Sequence, residues 1–312
     1  MSAIQATLNS FIPVFTSNFE IAYQQMESKL RSAVNTEPGE GERMQGRILQ
    51  SQELIEYTER GGDTNYTDVD ADFWNVFPQP ADLANLLDEH DEAYLAKVSL
   101  PTSELMQGHA AAASRQVDNK IVRAATAAAF RGRTGTTSSS FDTTNQRVAV
   151  DYDGSGALST TANVGLNYYK IARARRILDD NEVPENDRYL VIRAAQMEDL
   201  AVDVLDRHSA NVSDLSVLPG TRTIQNIMGF TVIQVQRVLV GDTVTSAGTD
   251  VASCLAFQKM AIKARVWKDK EVHLDVLPLK RHAVGIRTVI NVGATRARDE
   301  AVVEILCDQS PA

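Results

Sequence analysis

Cysteine is almost missing from this chain: Cys254 and Cys307 are its only two among 312 residues. Two thiols cannot make a disulfide framework, so the fold has to rest on a hydrophobic core, and both are expected to be buried as small apolar side chains. Long apolar runs are missing too. No window approaches 18 consecutive apolar residues, which excludes a membrane-crossing helix. The opening MSAIQATLNSFIPVF has no basic stretch leading into an apolar run and a cleavage site, so no secretory leader is expected. The sequons at Asn65 and Asn211 therefore carry little weight. Hydrophobic residues at 43% and charged residues at 23% sit near the globular average, which excludes wholesale disorder.

Positive charge is scarce at one end. Residues 1–100 hold 6 Lys or Arg against 17 Asp or Glu, a net of −11, whereas the remainder, with 25 against 24, is near neutral. Asp68, Asp70, Asp72, Asp82, Asp88, Glu89, Asp91 and Glu92 follow one another without an intervening Lys or Arg. Such a face is either solvated or neutralised by a basic partner, where charge sets register and partner choice. The acidic total argues against a dedicated nucleic-acid reader, whose footprint is basic.

What is present centres on Leu100–Arg131, which predicts one long helix. Pro101 fits an opening turn and Thr102 or Ser103 can cap it. Leu105, Ala113, Val117, Ile121, Ala125 and Ala128 then recur at three- or four-residue spacing, with Gln107, Ser114, Arg115, Asp118 and Arg123 largely off that stripe. A helix of that extent is longer than a compact domain of this size needs, which suggests a rod.

Around it the pattern alternates between elements. Ser17–Val34 carries Phe19, Tyr23, Met26, Leu30 and Val34 at helical spacing, and the Pro-Gly-rich stretch 35–41 breaks it. Met44–Tyr57 and Ala71–Phe77 read as the arms of a hairpin with the tip Thr58–Asn65, which includes Arg60, Gly61, Gly62 and Asp63. A hairpin with so little core should lie against something else. An acidic helix is expected over Ala81–Ala96, a low-order stretch over Arg131–Leu158 framing a short strand at Arg147–Val150, and an amphipathic helix over Thr160–Asp180 with Arg173, Arg175 and Arg176 mostly outward. Strands are expected at Tyr189–Ile192, Phe230–Val240, Val251–Val266, Val272–Leu277, Val284–Val292 and Ala301–Cys307, and a short helix at Met197–Asp206. The class is α+β.

Catalytic patterns are weak. Gly132–Thr137 is glycine-rich but follows a helix and lacks the lysine and spacing of a phosphate cradle. Gly154-Ser155-Gly156 reads as a turn rather than a nucleophile elbow. The five histidines show no metal-ligand spacing; His90 among Asp88, Glu89, Asp91 and Glu92 is the best cation candidate, but a solvated acidic helix explains it with fewer assumptions. His208-Ser209 near Asp206 or Asp214 is a triad-like coincidence, since order along a chain says nothing about geometry.

The order of features resembles a known family. Trp74–Ala84 (WNVFPQPADLA), Ala110–Ala125 (AAAASRQVDNKIVRAA), Ser213–Leu215 through Gly220 to Asn226–Phe230, and Val292–Arg296 followed by Val302–Ile305 are similar to the major capsid proteins of tailed bacteriophages, the Hong Kong 97 fold. The resemblance covers most of the chain beyond about residue 70 and implies a subdivision. Residues 1–36 would be an N-terminal arm and 37–80 an extended E-loop. Residues 81–146 would form a peripheral domain with a spine helix, 147–250 an axial domain, and 251–312 the return to the peripheral domain. Two departures stand out. No long charged segment precedes the arm, so a separate scaffolding protein is expected. Also, no lysine lies between Lys29 and Lys97 to serve as the crosslinking residue of one branch of the family.

The resemblance implies a shell protein rather than an enzyme, with no cofactor and no metal, found in the virion capsid after assembly in the host bacterial cytoplasm. Its partners would be its own copies in pentamers and hexamers, together with a scaffolding protein, a portal protein, a decoration protein and packaged double-stranded DNA contacted without sequence preference; no membrane is involved. The expected assembly contacts are the tip residues Arg60, Gly61, Gly62 and Asp63 and the acids Asp68, Asp70, Asp72, Asp88 and Glu89. Arg173, Arg175 and Arg176 of a neighbour are the candidate partner patch. Two alternatives remain at this point: an encapsulin-type nanocompartment shell, and a soluble metal-dependent hydrolase built on His90.

Overall fold

The structure is a computed structural model and describes residues 25–54, 56, 66, 68–87, 104–154, 163–206, 226–235, 251–280 and 283–309. Its strands, in chain order, are β1 (Asn35–Pro38), β2 (Met44–Leu49), β3 (Ala71–Val76), β4 (Pro80–Leu87), β5 (Ala129–Arg131), β6 (Thr137–Ser139) and β7 (Arg147–Val148). They continue with β8 (Arg188–Ile192), β9 (Asn226–Ile227), β10 (Phe230–Gln234), β11 (Val251–Gln258), β12 (Ile262–Leu277), β13 (Ala283–Arg296) and β14 (Val302–Asp308). The helices are α1 (Glu104–Thr126), α2 (Tyr168–Asp180) and α3 (Ala194–Asp206). The chain divides into two compact units, one of residues 1–27, 81–114 and 268–290, the other of 28–80, 115–267 and 291–312.

The core of the larger unit is a six-stranded sheet ordered β7-β14-β11-β8-β10-β9. VASCLAFQ of β11 and VVEILC of β14 are near-continuous apolar runs, the composition of strands covered on both faces, and they are buried along those lengths. They pair antiparallel from Val251↔Asp308 to Phe257↔Val302, and β8 joins the other side of β11 through Ala256↔Leu190. Residues 251–258 and 302–308 thus share a sheet with 188–192 and 226–234. Sequence order groups them instead with a separate return segment, because strand partners at long separation are chosen by burial and ladder bonds.

Helix α2 packs on β14 through its buried face of Ile171, Ala174, Ile177 and Leu178. It starts at Tyr168 rather than at Thr160, since the Asn167 side chain accepts from Lys170 N at 2.8 Å and caps it there. Lys170 itself is fully buried, and its ammonium donates to the carbonyls of Val150 (2.8 Å), Val164 (2.6 Å) and Leu306 (2.8 Å). Burial pushes its pKa down, and these three acceptors replace lost water. Glu304, also buried, accepts from Arg147 Nε and Ser253 Oγ, each at 2.7 Å. Cys254 and Cys307 are free and buried with their sulfurs 4.0 Å apart, small apolar side chains as expected; the Cys307 contact and burial push the Cys254 thiol well up.

Helix α1 spans 23 residues, about 34 Å, and ends before the expected Arg131, because residues 129–131 turn into strand β5. Ala113, Val117, Ile121 and Ala125 are buried as the stripe predicts, whereas Ala128 lies beyond the helix and is exposed. Ser114 and Asp118, read as off the stripe, are fully buried as well. Asp118 accepts from Ser28 Oγ (2.5 Å), Lys29 N (3.1 Å) and Leu30 N (3.2 Å). This carboxylate explains why residues 28–34 form turns instead of the expected amphipathic helix: their amides cap a side chain, and Leu30, Ala33 and Val34 bury inward.

A four-stranded sheet is ordered β1-β12-β13-β4, and Asn35–Pro38 runs parallel to Lys263–Val266 within the larger unit. Residues 81–87 belong to β4, which corrects the expected helix over Ala81–Ala96. Leu83, Leu86 and Leu87 suit helical spacing, but ladder bonds to β13 outweigh local preference, and Pro80 sits at the first strand position where its missing N–H costs nothing. Residues 88–96 lie outside the described residues. In the smaller unit His109 Nδ1 lies 3.0 Å from Thr288 Oγ1, both residues buried, and burial lowers the histidine pKa.

Candidate assembly surface

The expected hairpin is present. Strands β2 and β3 pair antiparallel from Met44↔Val76 to Leu49↔Ala71, and Gln50 N donates to Asp70 O at 3.2 Å one step further. β3 also pairs with β5 and β5 with β6, giving the third sheet, ordered β2-β3-β5-β6. The base has a small core of Trp74, Val76 and Ala297, with Met44, Ile48 and Trp267 packed on it. Gly46 is required there, because a Cβ on it would lie 2.1 Å from the Trp74 indole.

The glycine-rich turn read as low order is the clamp that holds this base. Arg43 donates to the carbonyls of Thr134 and, at 3.2 Å, Arg133; Gln45 Nε2 donates to Arg133 O at 2.9 Å, and Asn75 Nδ2 to Gly132 O at 2.8 Å. Gly132 (φ 80°) and Gly135 (φ 73°) allow the turn to aim its carbonyls at the hairpin, a backbone shape other residues adopt only with strain. Arg43, Gln45 and Asn75 were not singled out by sequence reasoning. Their partners are backbone atoms of a distant turn, which leave no pattern in a sequence.

Beyond Leu49 and Ala71 the arms are bare. Leu49 is 57% exposed, Val69 55%, and Leu54 and Tyr66 are essentially fully exposed. Leu54 on the first arm and Tyr66 on the second are thus large apolar side chains left in water among the described residues. Sequence reasoning missed these two as contact residues. Their signal was two large apolar side chains within an otherwise polar, acidic stretch.

The predicted charges divide into three groups. Arg60, Gly61, Gly62, Asp63, Asp88, Glu89 and His90 lie outside the described residues. Asp68 and Asp70 are exposed on the second arm, with Asp70 Oδ1 accepting from Ala71 N at 2.8 Å. Asp72 pairs with the buried Arg131 guanidinium at 3.3 Å, so it helps seat β3 on β5 while its side chain stays partly exposed. Arg131 also holds Asp299 at 2.9 Å. Asp82 likewise pairs within the chain, with Arg287 at 3.0 Å.

Arg176 pairs with Asp180 at 3.4 Å, and Arg175 with Asp179 at 3.4 Å and Glu185 at 3.5 Å, while Asp179 is shared with Arg188 at 2.6 Å. Arg173 makes no ion pair among the described residues. The i,i+4 spacing Arg175/Asp179 and Arg176/Asp180 was visible beforehand as a signal for self-pairing.

No group of three or more His, Cys, Asp or Glu among the described residues is placed to hold a metal ion, and no helix among them is long and apolar enough to cross a membrane. What the arrangement offers is contact area: a clamped hairpin base carrying bare apolar arms flanked by Glu53, Glu56, Asp68 and Asp70, all exposed.

Comparison with known proteins bears on what such a surface is for. The family model described as phage capsid protein matches residues 8–309. No curated protein sequence matches. Solved structures share the fold at low identity. The capsid structure of cyanophage P-SCSP1u is 14% identical with a TM-score of 0.67, over 95% of this chain and 93% of that one. The acidic stable capsid structure of Helicobacter pylori bacteriophage KHP30 is 12% identical with a TM-score of 0.68, over 99% and 98%. The cyanophage Pam1 capsid asymmetric unit is 11% identical with a TM-score of 0.69, over 97% and 98%.

Proposed function

The chain belongs to the phage capsid protein family, and from that premise we propose how this major capsid protein builds a head shell. Copies associate as pentamers and hexamers, and each hairpin lies across a neighbouring subunit. Many modest contacts then add up in the closed lattice, where each new subunit meets several partners at once. The work is done by interface burial rather than bond chemistry, so no catalytic group is needed. The observation that carries the reading is the hairpin itself: its base is clamped by side chain to backbone hydrogen bonds, yet Leu54 and Tyr66 on its arms are wholly exposed. A lone chain gains nothing from holding two large apolar side chains in water.

In this reading the six-stranded sheet with α2 faces the capsomer centre and α1 is the spine helix. The tip residues 60–63 reach the neighbour, with Asp68, Asp70, Asp88 and Glu89 along the same contact. Double-stranded DNA is held inside by confinement and counterions. A separate scaffolding protein guides assembly in the host bacterial cytoplasm, a portal protein occupies one vertex, and a decoration protein adds to the outside. Expression of the full chain with its neighbouring genes, followed by negative-stain microscopy, tests the proposal. Closed particles of uniform diameter are expected; small soluble oligomers as the only product overturn it.

A further inference from the structure

Two interior strands of the six-stranded sheet each bring one thiol to the same place. Across the β11–β14 ladder Ala252 stands opposite Cys307, Cys254 opposite Ile305 and Ala256 opposite Val303, and directly opposed residues share a face. That face therefore carries these six side chains, all of them buried. Side chains alternate along a strand, so Ser253 and Glu304, which bond each other and Arg147, lie on the opposite face. Over residues 252–256 and 303–307 sulfur is the one side-chain ligand on the first face.

The two-residue offset decides what the thiols can do together. Diagonal neighbours on antiparallel strands lie about 7–8 Å apart, beyond the about 4.4–6.8 Å between Cα atoms that a disulfide spans, so direct bonding is disfavoured. The sulfurs themselves sit 4.0 Å apart. Two metal–sulfur bonds of about 2.3 Å reach up to about 4.6 Å, so one ion fits between them at a wide angle. Calcium or magnesium needs several oxygen ligands and zinc a tetrahedral set, neither of which this face supplies. Soft thiolates select copper(I), and a monovalent ion of that kind is satisfied by two of them.

Charge completes the match. Loading releases a proton from each thiol to solvent, and two thiolates around one monovalent cation leave one negative charge. Lys170 is fully buried beside them: Cys307 and Cys254 act on it most strongly among the charge-bearing groups, ahead of Asp151 and Asp308. Its ammonium hydrogens are taken by the carbonyls of Val150, Val164 and Leu306, so it supplies charge without competing for the metal. Arg193 adds a second positive charge acting on Cys254.

We infer that Cys254 and Cys307 form a two-coordinate site for a soft monovalent cation of the copper(I) type, tying β11 to β14 through their sulfurs with Lys170 as counter-charge. No electron changes hands, since the copper enters and stays as copper(I). The site needs no second copy of the chain and stands apart from the shell reading.

Copper(I) offered to the full chain without oxygen, under a phosphine reductant, tests the site; it is also supplied to cells during synthesis, so slow entry cannot hide binding. One copper per chain should be retained against bicinchoninate, with two sulfur neighbours by X-ray absorption and a Tm raised by several degrees. Cys254→Ala and Cys307→Ala should each weaken retention at least a hundredfold. A folded, reduced chain that yields all its copper to the chelator overturns the inference, as does equal retention by both variants. If a variant fails to fold, X-ray absorption of the unaltered chain still decides: a copper with only nitrogen or oxygen neighbours overturns the site.

Discussion

Asp118 provides the sharpest test of how the amino-terminal segment is held. Its carboxylate is fully buried and takes three donors, Ser28 Oγ, Lys29 N and Leu30 N. Hydrogen bonds to a charged group contribute about 1.5–3 kcal/mol each, and bonds that share one carboxylate are not additive, so Asp118→Ala should cost about 4 kcal/mol. Most of that loss falls on local opening of residues 28–34, because these three donors all lie in that segment. At about 1.4 kcal/mol per tenfold, the open population rises roughly a thousandfold. Trypsin reads this directly at Lys29 and Arg31, since cleavage of a transiently opened segment follows its population. Mass spectrometry should show cleavage at those two sites long before the tryptic sites of the six-stranded sheet, Arg147 in β7 and Arg188 in β8. Asp118→Asn keeps one acceptor oxygen, and its effect should be tens of fold rather than a thousand. Two results refute the reasoning: unchanged protection in the alanine variant, or cleavage throughout the chain at one common rate.

Two further perturbations test other contacts. Gly46→Ala places a methyl group against the Trp74 indole, an overpacking that should cost about 1–3 kcal/mol. Hydrogen exchange should show the β2–β3 ladder loosening first, and normal exchange there would contradict the close approach. Burial lowers the His109 pKa, and its Nε2 has no partner among the described residues, so the unfolded chain binds more protons than the folded one just below the ordinary histidine pKa. Stability should therefore be fully present above about pH 6.5 and decline as pH falls through that value. Melting scans between pH 8 and 5 should show this decline, and His109→Asn should flatten it; an equal slope in both proteins excludes His109 as its source.

The amino-acid sequence determined the strong periodic elements and the class of protein. The apolar stripe of α1, the runs of β11 and β14, the pairing arms of the hairpin and the burial of both cysteines were legible, since each depends on local composition and spacing. The α+β class and the capsid resemblance followed from their order. Tertiary structure alone decided the remainder. Residues 81–87 became a strand because a partner supplied ladder bonds, and residues 28–34 became turns because one buried aspartate gathered their amides. Residues 251–258 and 302–308 joined the sheet of 188–192 through contacts across the length of the chain. Asp72, Arg175 and Arg176 looked like free charges until Arg131, Asp179 and Asp180 were found beside them. The cleft lined by Ile48, Trp74, Pro184, Met260 and Ala297 has no sequence signature at all, since its walls come from five separate stretches. Periodicity is set by neighbours a few residues apart and can be read from the chain, whereas which charges remain unpaired and which surfaces face one another depend on atoms that only folding brings together.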